Sequence, residues 1–418
     1  MDSPSEEKRN ILRGKNVFDV LTILQQKSSL SRAELARITQ LTPATISNVV
    51  AELHKLGIVR EHGHGVSQGG RRPIMIELNP ESFYLSGIDL GITKIIAVIT
   101  DLHGNIIARK KRSVDVYSGG NRIIQSMLEA ADDCFHEAGS MICRKIVGIG
   151  LSVSGLVNME KGISIYAPNL PMWKNVPLVK TIEDKFHLPA FIENDARCMA
   201  LGEARYGSGR SYKNLLCINV GHGIGSGIII NGDLYRGEAY AAGEIGHLTI
   251  IPSGPLCQCG NRGCLEVIAG GHAIAAAAIR VLNSGGQTLI REIVKGKINR
   301  VTAEIVAKAA AQGDPIARDL IIEAAHYIGI GLANALNLLS PEIIIIGGGV
   351  ALSGDIFFHE IRRTIRKRAF TTMINEPELL LSSLGENASS IGAAALVFEK
   401  ILEQKQLLLT ESPLYMKN

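Results

Sequence analysis

The 418-residue sequence is poor in aromatic side chains, 5% of the total with one tryptophan, and no uninterrupted apolar run reaches the roughly 18 residues a membrane-spanning helix needs. The amino-terminal stretch MDSPSEEKRN carries charges of both signs and lacks the apolar segment of a signal peptide. A cytoplasmic chain without membrane insertion is expected. Cysteines are few and odd in number, seven, with three crowded at 257, 259 and 264. That usage argues against a disulfide framework and for reduced thiols, some of them available to a metal. Disorder is not the default either: 46% hydrophobic and 20% charged residues describe a well-packed chain. Its length exceeds one ordinary core, so two or three domains are expected.

Charge is unevenly placed. Eleven Lys and Arg lie between residues 8 and 72 against the four acids Asp19, Glu34, Glu52 and Glu61, whereas the chain beyond residue 80 is close to neutral. A basic amino-terminal segment suits a polyanionic partner, and on charge alone a solubilising tail fits equally.

Pattern separates the two. Asn16 to Lys27 reads as a helix with Val17, Val20, Leu21 and Leu24 on one face. Ser31-Arg-Ala-Glu34 is a capping box opening a second helix. A third starts with Thr42 as N-cap and Pro43 at its first position, turns Ile46, Val49, Val50, Leu53 and Leu56 inward, and stops at Gly57. Two short helices across so tight a turn form a helix-turn-helix, rather than a plain three-helix bundle, and the second would enter the major groove. Its outward face carries Ala44, Thr45, Ser47 and Asn48. Ile58 to His62, a Gly-rich tip and Ile74 to Leu78 then read as a β-hairpin wing, with Arg71 and Arg72 at the tip for phosphates or a minor groove. Residues 1–80 are thus expected to be a winged helix-turn-helix that binds operator DNA.

Beyond Asn79-Pro80 the pattern changes. The strand from Tyr84 turns at Asp89-Leu-Gly91 and returns over Ile95 to Thr100. The device repeats at Leu216 to Asp233, turning through Gly221-His222-Gly223. Gly-containing hairpins of this kind can turn backbone amides toward a phosphate, and two in one chain suggest a duplicated α/β lobe. An apolar helix from His326 to Leu339 precedes the buried run Ile343 to Ile346 and Gly347-Gly-Gly349, the arrangement in which α/β sheets place ligands.

The most specific local signal is His247 followed by Cys257, Cys259 and Cys264, one imidazole and three thiols that fit structural, tetrahedral zinc. Glu244 and Glu266 flank this loop.

Together the zinc loop and the stretch Glu193-Asn194-Asp195-Ala196 make the chain resemble the repressor, open reading frame and kinase family, ROK, from about residue 84 to about residue 403. The resemblance implies a two-lobed α/β fold of the actin/hexokinase, ribonuclease H-like type. Its first lobe would span residues 81–196 and be completed by a carboxy-terminal helix at 388–406; the second would span 197–387, with the zinc loop at 247–264. In the family's kinases the residue matching Asp195 is the general base toward a sugar hydroxyl. By the same resemblance Asn194, Glu244, His247 and Glu266 hold sugar hydroxyls, with Gly155 and Asn169 on the opposite wall.

Departures from the kinase pattern accompany the match. The first phosphate turn reads Asp89-Leu-Gly91-Ile92-Thr93, with a β-branched side chain where the kinases have a second glycine. The second reads Gly221-His222-Gly223, with an imidazole in place of a small hydroxyl. These changes bear against ATP with Mg2+ and leave sugar binding untouched. The expectation is a sugar-responsive repressor of sugar-utilisation genes, a homodimer or homotetramer, with an active hexose or amino-sugar kinase carrying a DNA-binding domain as the alternative. A signalling protein in place of the sugar is a further possibility.

Overall fold

A computed structural model describes residues 15–66, 72–370 and 377–404. The chain divides into two compact units, one made of the residues up to Asn194 together with those from Ser390 onward, the other of Asp195–Ser389.

The first unit begins with three helices, α1 (Lys15–Lys27), α2 (Arg32–Thr39) and α3 (Pro43–Lys55). Both expected caps are present. The Ser31 hydroxyl accepts from the Glu34 amide while the Glu34 carboxylate accepts from the Ser31 amide, and Thr42 accepts from the Thr45 amide ahead of Pro43. A short strand β1 (Ser29–Ser31), not anticipated from the sequence, joins β2 (Val59–His64) and β3 (Ile74–Leu78) in the order β1-β3-β2. Three residues between two helices carry too little periodicity to read as a strand. Of the expected wing-tip residues, Arg71 lies outside the described residues.

The same unit continues into a five-stranded sheet of order β11-β7-β4-β5-β6, from β4 (Tyr84–Leu90), β5 (Lys94–Thr100), β6 (Ile106–Ser113), β7 (Ile146–Val153) and β11 (Ala190–Asn194). β4 pairs parallel with β7 and β7 parallel with β11, so these three strands end together at Leu90, Val153 and Asn194. One face is covered by α4 (Gly120–Ala138) and α5 (Leu178–Phe186), whose apolar faces bury Ile123, Met127, Phe135 and Ile182 against Ile88, Leu151 and Ile192. A small sheet of β8 (Leu156–Asn158), β9 (Ile163–Tyr166) and β10 (Lys174–Val176) follows the end of β7, and Trp173 pins it by donating to the Ser164 hydroxyl at 2.8 Å.

The second unit starts with α6 (Asp195–Tyr206) and repeats the mixed sheet, in the order β14-β13-β12-β15-β16: β12 (Leu215–Val220), β13 (Ile224–Ile230), β14 (Asp233–Tyr235), β15 (Ile343–Gly347) and β16 (Glu378–Leu381). Around it lie α7 (Leu265–Ala269), α8 (Gly271–Asn283), α9 (Ala303–Ala311), α10 (Pro315–Leu339) and α11 (Asp355–Arg368). The helix read from His326 begins eleven residues earlier, because Asp314 caps it through the Ala317 amide ahead of Pro315. One segment, Leu265–Asn283, is long and apolar enough by composition to cross a membrane. It is broken at Gly270 into α7 and α8, and Leu265, Ala269, Ile274, Ala278 and Leu282 lie in the core of this unit. Glu203 of α6, fully buried, accepts from the Ser382 hydroxyl at 2.6 Å and the Leu384 and Ser208 amides at 3.0 and 2.9 Å, which fixes the segment leading to residue 388.

The last helix, α12 (Ala388–Gln404), returns the chain to the first unit. It lies on the other face of the first sheet, where Gly87, Gly148 and Gly150 leave room. A Cβ at Gly87 or Gly150 would collide with the backbone of Ser390 or Ala393.

Candidate functional site

In the first unit the ends of β7 and β11 place two of the expected residues, Gly155 and Asn194. Gly155, at φ +96°, turns so closely past Tyr166 and Ala167 that a Cβ would strike their backbone. Its carbonyl accepts from the Asn194 side-chain amide at 3.1 Å. The Asn194 backbone amide donates to the Glu193 carboxylate at 2.9 Å, and Glu193 is fully buried. Asn169 is half-buried in the turn between β9 and β10. Beside them Asp89, at the end of β4, is buried and accepts from the Ser152 hydroxyl at 2.6 Å. Gly91 closes the first turn by donating to the Lys94 carbonyl at 3.0 Å, and Ile92 is half-buried there, with Thr93 exposed.

In the second unit Asp195 is the first residue of α6, where the helix N-terminus favours its charge. Its carboxylate accepts from the Ala196 amide at 2.9 Å. On the same helix, Arg197 is almost fully buried; it donates to the Ala242 carbonyl at 3.0 and 3.3 Å and lies 3.7 Å from the Glu244 carboxylate. Arg197 was not anticipated from the sequence; the signal present was a lone cation in the buried stretch Ala196 to Leu201. The pKa of Glu244 is raised, by partial desolvation first, with Arg197 and His247 opposing and Asp195 and Glu266 assisting. The buried guanidinium beside it favours the charged form that desolvation and the neighbouring carboxylates disfavour.

Glu266, in the first turn of α7, accepts from the Ile224 amide at 2.9 Å. Its carboxylate fills the space over Gly223 that any side chain there would need. The second Gly turn is braced from both sides, with Gly221 and His222 carbonyls accepting from the Gly271 and His272 amides at 3.0 Å each. The His222 ring lies 5.4 Å from that of His272, and its pKa is lowered by desolvation and by the neighbouring imidazole.

His247, Cys257, Cys259 and Cys264 come together as one cluster, their ligand atoms all within 4.8 Å of one another. The Cys257 Sγ to His247 Nδ1 separation is 3.6 Å and Cys259 Sγ to Cys264 Sγ is 3.7 Å. A tetrahedron with metal–sulfur bonds of about 2.3 Å has edges of about 3.4 to 3.8 Å, so these two separations suit a tetrahedral metal such as zinc. They are far beyond the roughly 2.05 Å of a disulfide. Burial and the adjacent thiols push the Cys264 thiol up to about 12, while the Asn261 amide lowers Cys259. A dication would draw these protons off; without one, three adjacent thiols stay protonated or repel. His247 cannot hold both this cluster and a sugar through the same nitrogen, since Nδ1 faces Cys257.

On α3 the residues Ala44, Ser47 and Asn48 are exposed, and Ala51, His54 and Lys55 extend the same face. Thr45 is half-buried, its hydroxyl 2.8 Å from that of Thr42, so it serves the helix cap. Arg32 of α2 pairs with Glu61 of β2 at 3.2 Å, and the buried Glu77 of β3 holds Arg60 at 2.6 Å and His62 at 3.3 Å. These pairs link α2 to β2 and β2 to β3 at the base of the wing. Arg72 is exposed.

Residues 85–400 match the ROK family, and residues 14–60 match a winged helix-turn-helix DNA-binding family. The chain is 33% identical over 392 residues to the xylose repressor of Caldicellulosiruptor bescii, covering 94% of this chain and 97% of that protein. Among solved structures, a ROK family transcriptional regulator, homolog of the Escherichia coli MLC protein, superposes with a TM-score of 0.76 at 27% identity, over 94% of this chain and 99% of the other. A ROK family glucokinase from Streptomyces griseus, solved with glucose and AMPPNP, gives 0.69 at 31% identity, over 76% of this chain and 99% of the other.

Proposed function

The chain belongs to the ROK family and carries a winged helix-turn-helix, and on that footing we propose that it is a transcriptional repressor of sugar-utilisation genes, released from operator DNA by a monosaccharide. The carrying observation is the union, in one chain, of a capped recognition helix with an exposed polar face and a carboxylate set of Asp195, Glu244 and Glu266 flanked by a zinc-spaced cluster. The similarity to a xylose repressor over nearly the full length of both chains supports the same reading.

Each sugar hydroxyl both donates and accepts, so carboxylates that accept and an amide that donates suit a polyol. Asp195, Glu244 and Glu266 supply acceptors, and the Asn194 side chain supplies the amide. Zinc in the His247, Cys257, Cys259 and Cys264 cluster would be structural, because all four positions are filled by protein. It would hold the loop on which Glu266 follows Cys264 by two residues. A bound sugar acts as an inducer only if it prefers the form that holds DNA less well. The protein would work in the cytoplasm as a homodimer or homotetramer, two recognition helices reading half-sites about 34 Å apart.

Kinase activity is the second reading, favoured by Asp195 at a helix N-terminus and by the Asp89–Ser152 pair. Against it stand Ile92 in the first turn and His222 in the second, where bulk replaces the room a phosphate needs. Equilibrium DNA binding with and without D-xylose, D-glucose or N-acetyl-D-glucosamine tests the first reading. Sugar-dependent ADP release from ATP and Mg2+ tests the second.

A further inference from the structure

The strand that ends at Asn194 has two faces. Ala190 and Ile192 point into the core beneath α4 and α5, whereas Phe191 points to the opposite face, into a second core. That second core is continuous with the DNA-binding domain. It holds Val17, Leu21 and Leu24 of α1, Leu35 of α2, and Val50 and Leu53 of α3 in one buried cluster with Phe83, Leu85 and the α12 residues Ala394, Val397, Phe398 and Ile401.

The helix α12 is fixed at both ends of this arrangement. At its start, Ser390 and Ala393 press backbone to backbone on Gly87 and Gly150; farther along, a Cβ on Gly148 would lie 2.8 Å from Val397 and 3.9 Å from the Phe191 ring. Val397 and Phe191 thus both lie over Gly148, in the same core. Strand numbers fall as helix numbers rise, so α12 runs antiparallel to β7, from the strand ends near Asn194 back toward the winged helix. Beyond Val397, the Phe398 ring packs 5.9 Å from that of Phe83, the residue that leads out of the wing into β4.

We propose that α12 is the transmission element of the repressor and that Phe191 and Val397, packed over Gly148 in one core, carry occupancy at Asn194 to the winged helix. This rests on the sugar-responsive reading above. Glycine contacts leave no side chain to absorb a displacement, and packed interiors pass strain on rather than dissipate it. A shift at the end of β11 therefore moves α12 as a body, and with it one wall of the core that holds α1.

The experiment uses the full chain and a duplex selected from a random library by the unsubstituted protein. DNA affinity is measured with and without saturating D-xylose, D-glucose or N-acetyl-D-glucosamine, sugar affinity is measured by calorimetry without DNA, and thermal unfolding verifies folding. Phe191→Leu and Val397→Ala are expected to keep each separate affinity within about threefold while the sugar-induced loss of DNA affinity falls from on the order of tenfold to under about twofold. A merely structural role would lower stability without selectively erasing that coupling. If Phe191→Leu does not fold, Val397→Ala carries the test. Undiminished coupling in a folded variant overturns the proposal, as does loss of DNA affinity in the absence of sugar. A chain whose DNA affinity no sugar changes, before any substitution, overturns the sugar-responsive reading itself.

Discussion

The side-chain amide of Asn194 donates to the carbonyl of Gly155 at 3.1 Å, joining the last residue of β11 to the tight turn that follows β7. The bond orients the amide and holds shut a turn that tolerates no side chain. Asn194→Ala is expected to weaken sugar binding by about 10- to 100-fold, the loss of one or two well-placed hydrogen bonds, with DNA affinity unchanged. Calorimetry and equilibrium DNA binding on the same preparation measure both. Parallel loss of both affinities would make Asn194 a structural residue.

The cluster of His247, Cys257, Cys259 and Cys264 predicts a metal-dependent loop. Cys259→Ser is expected to abolish stoichiometric zinc, measured by elemental analysis, and to lower the unfolding midpoint by about 5 °C or more. Zinc affinity should fall on acidification, because the metal must displace protons from thiols, one of them pushed up to about 12. Full zinc content in the variant would contradict the assignment.

The capping box of α2 makes a pH-dependent contribution of known sign. The Ser31 backbone amide and hydroxyl lower the pKa of Glu34 from its ordinary 4.5. Its contribution is present above that value and is lost as pH falls through the lower folded value. Ser31→Ala should cost about 1 kcal/mol at neutral pH, and Glu34→Gln should remove the acid-dependent part. Denaturant unfolding at neutral pH and below about pH 4 separates the two.

Much of this was legible because the signals are local. Ser31 with Glu34, and Thr42 with Pro43, announce helix starts through side-chain chemistry within four residues, and both caps form as read. The Cys and His spacing likewise brings four donors together. What escaped was long-range. Arg197 takes its meaning from a carbonyl forty-five residues away. The role of Gly87, Gly148 and Gly150 depends on a helix more than two hundred residues later, so no window of sequence displays it. Thr45 sits on the expected outward face, yet its hydroxyl turns to Thr42.

For DNA contact, Asn48→Ala is expected to lower affinity and relax discrimination at one base position, about 1 to 3 kcal/mol. Arg72→Ala should weaken all sequences alike and reduce the salt slope by about one unit. Competition binding at several salt concentrations distinguishes the two, and an unchanged slope for Arg72→Ala would remove the wing from the interface.

The most direct test is the DNA affinity of the full chain for its selected duplex, titrated with D-xylose, D-glucose and N-acetyl-D-glucosamine in the absence of ATP. A sugar-responsive repressor loses affinity by on the order of tenfold with at least one of them, at a sugar concentration matching its calorimetric Kd. Unchanged DNA affinity with every sugar, together with sugar-dependent ADP release once ATP and Mg2+ are added, would contradict it.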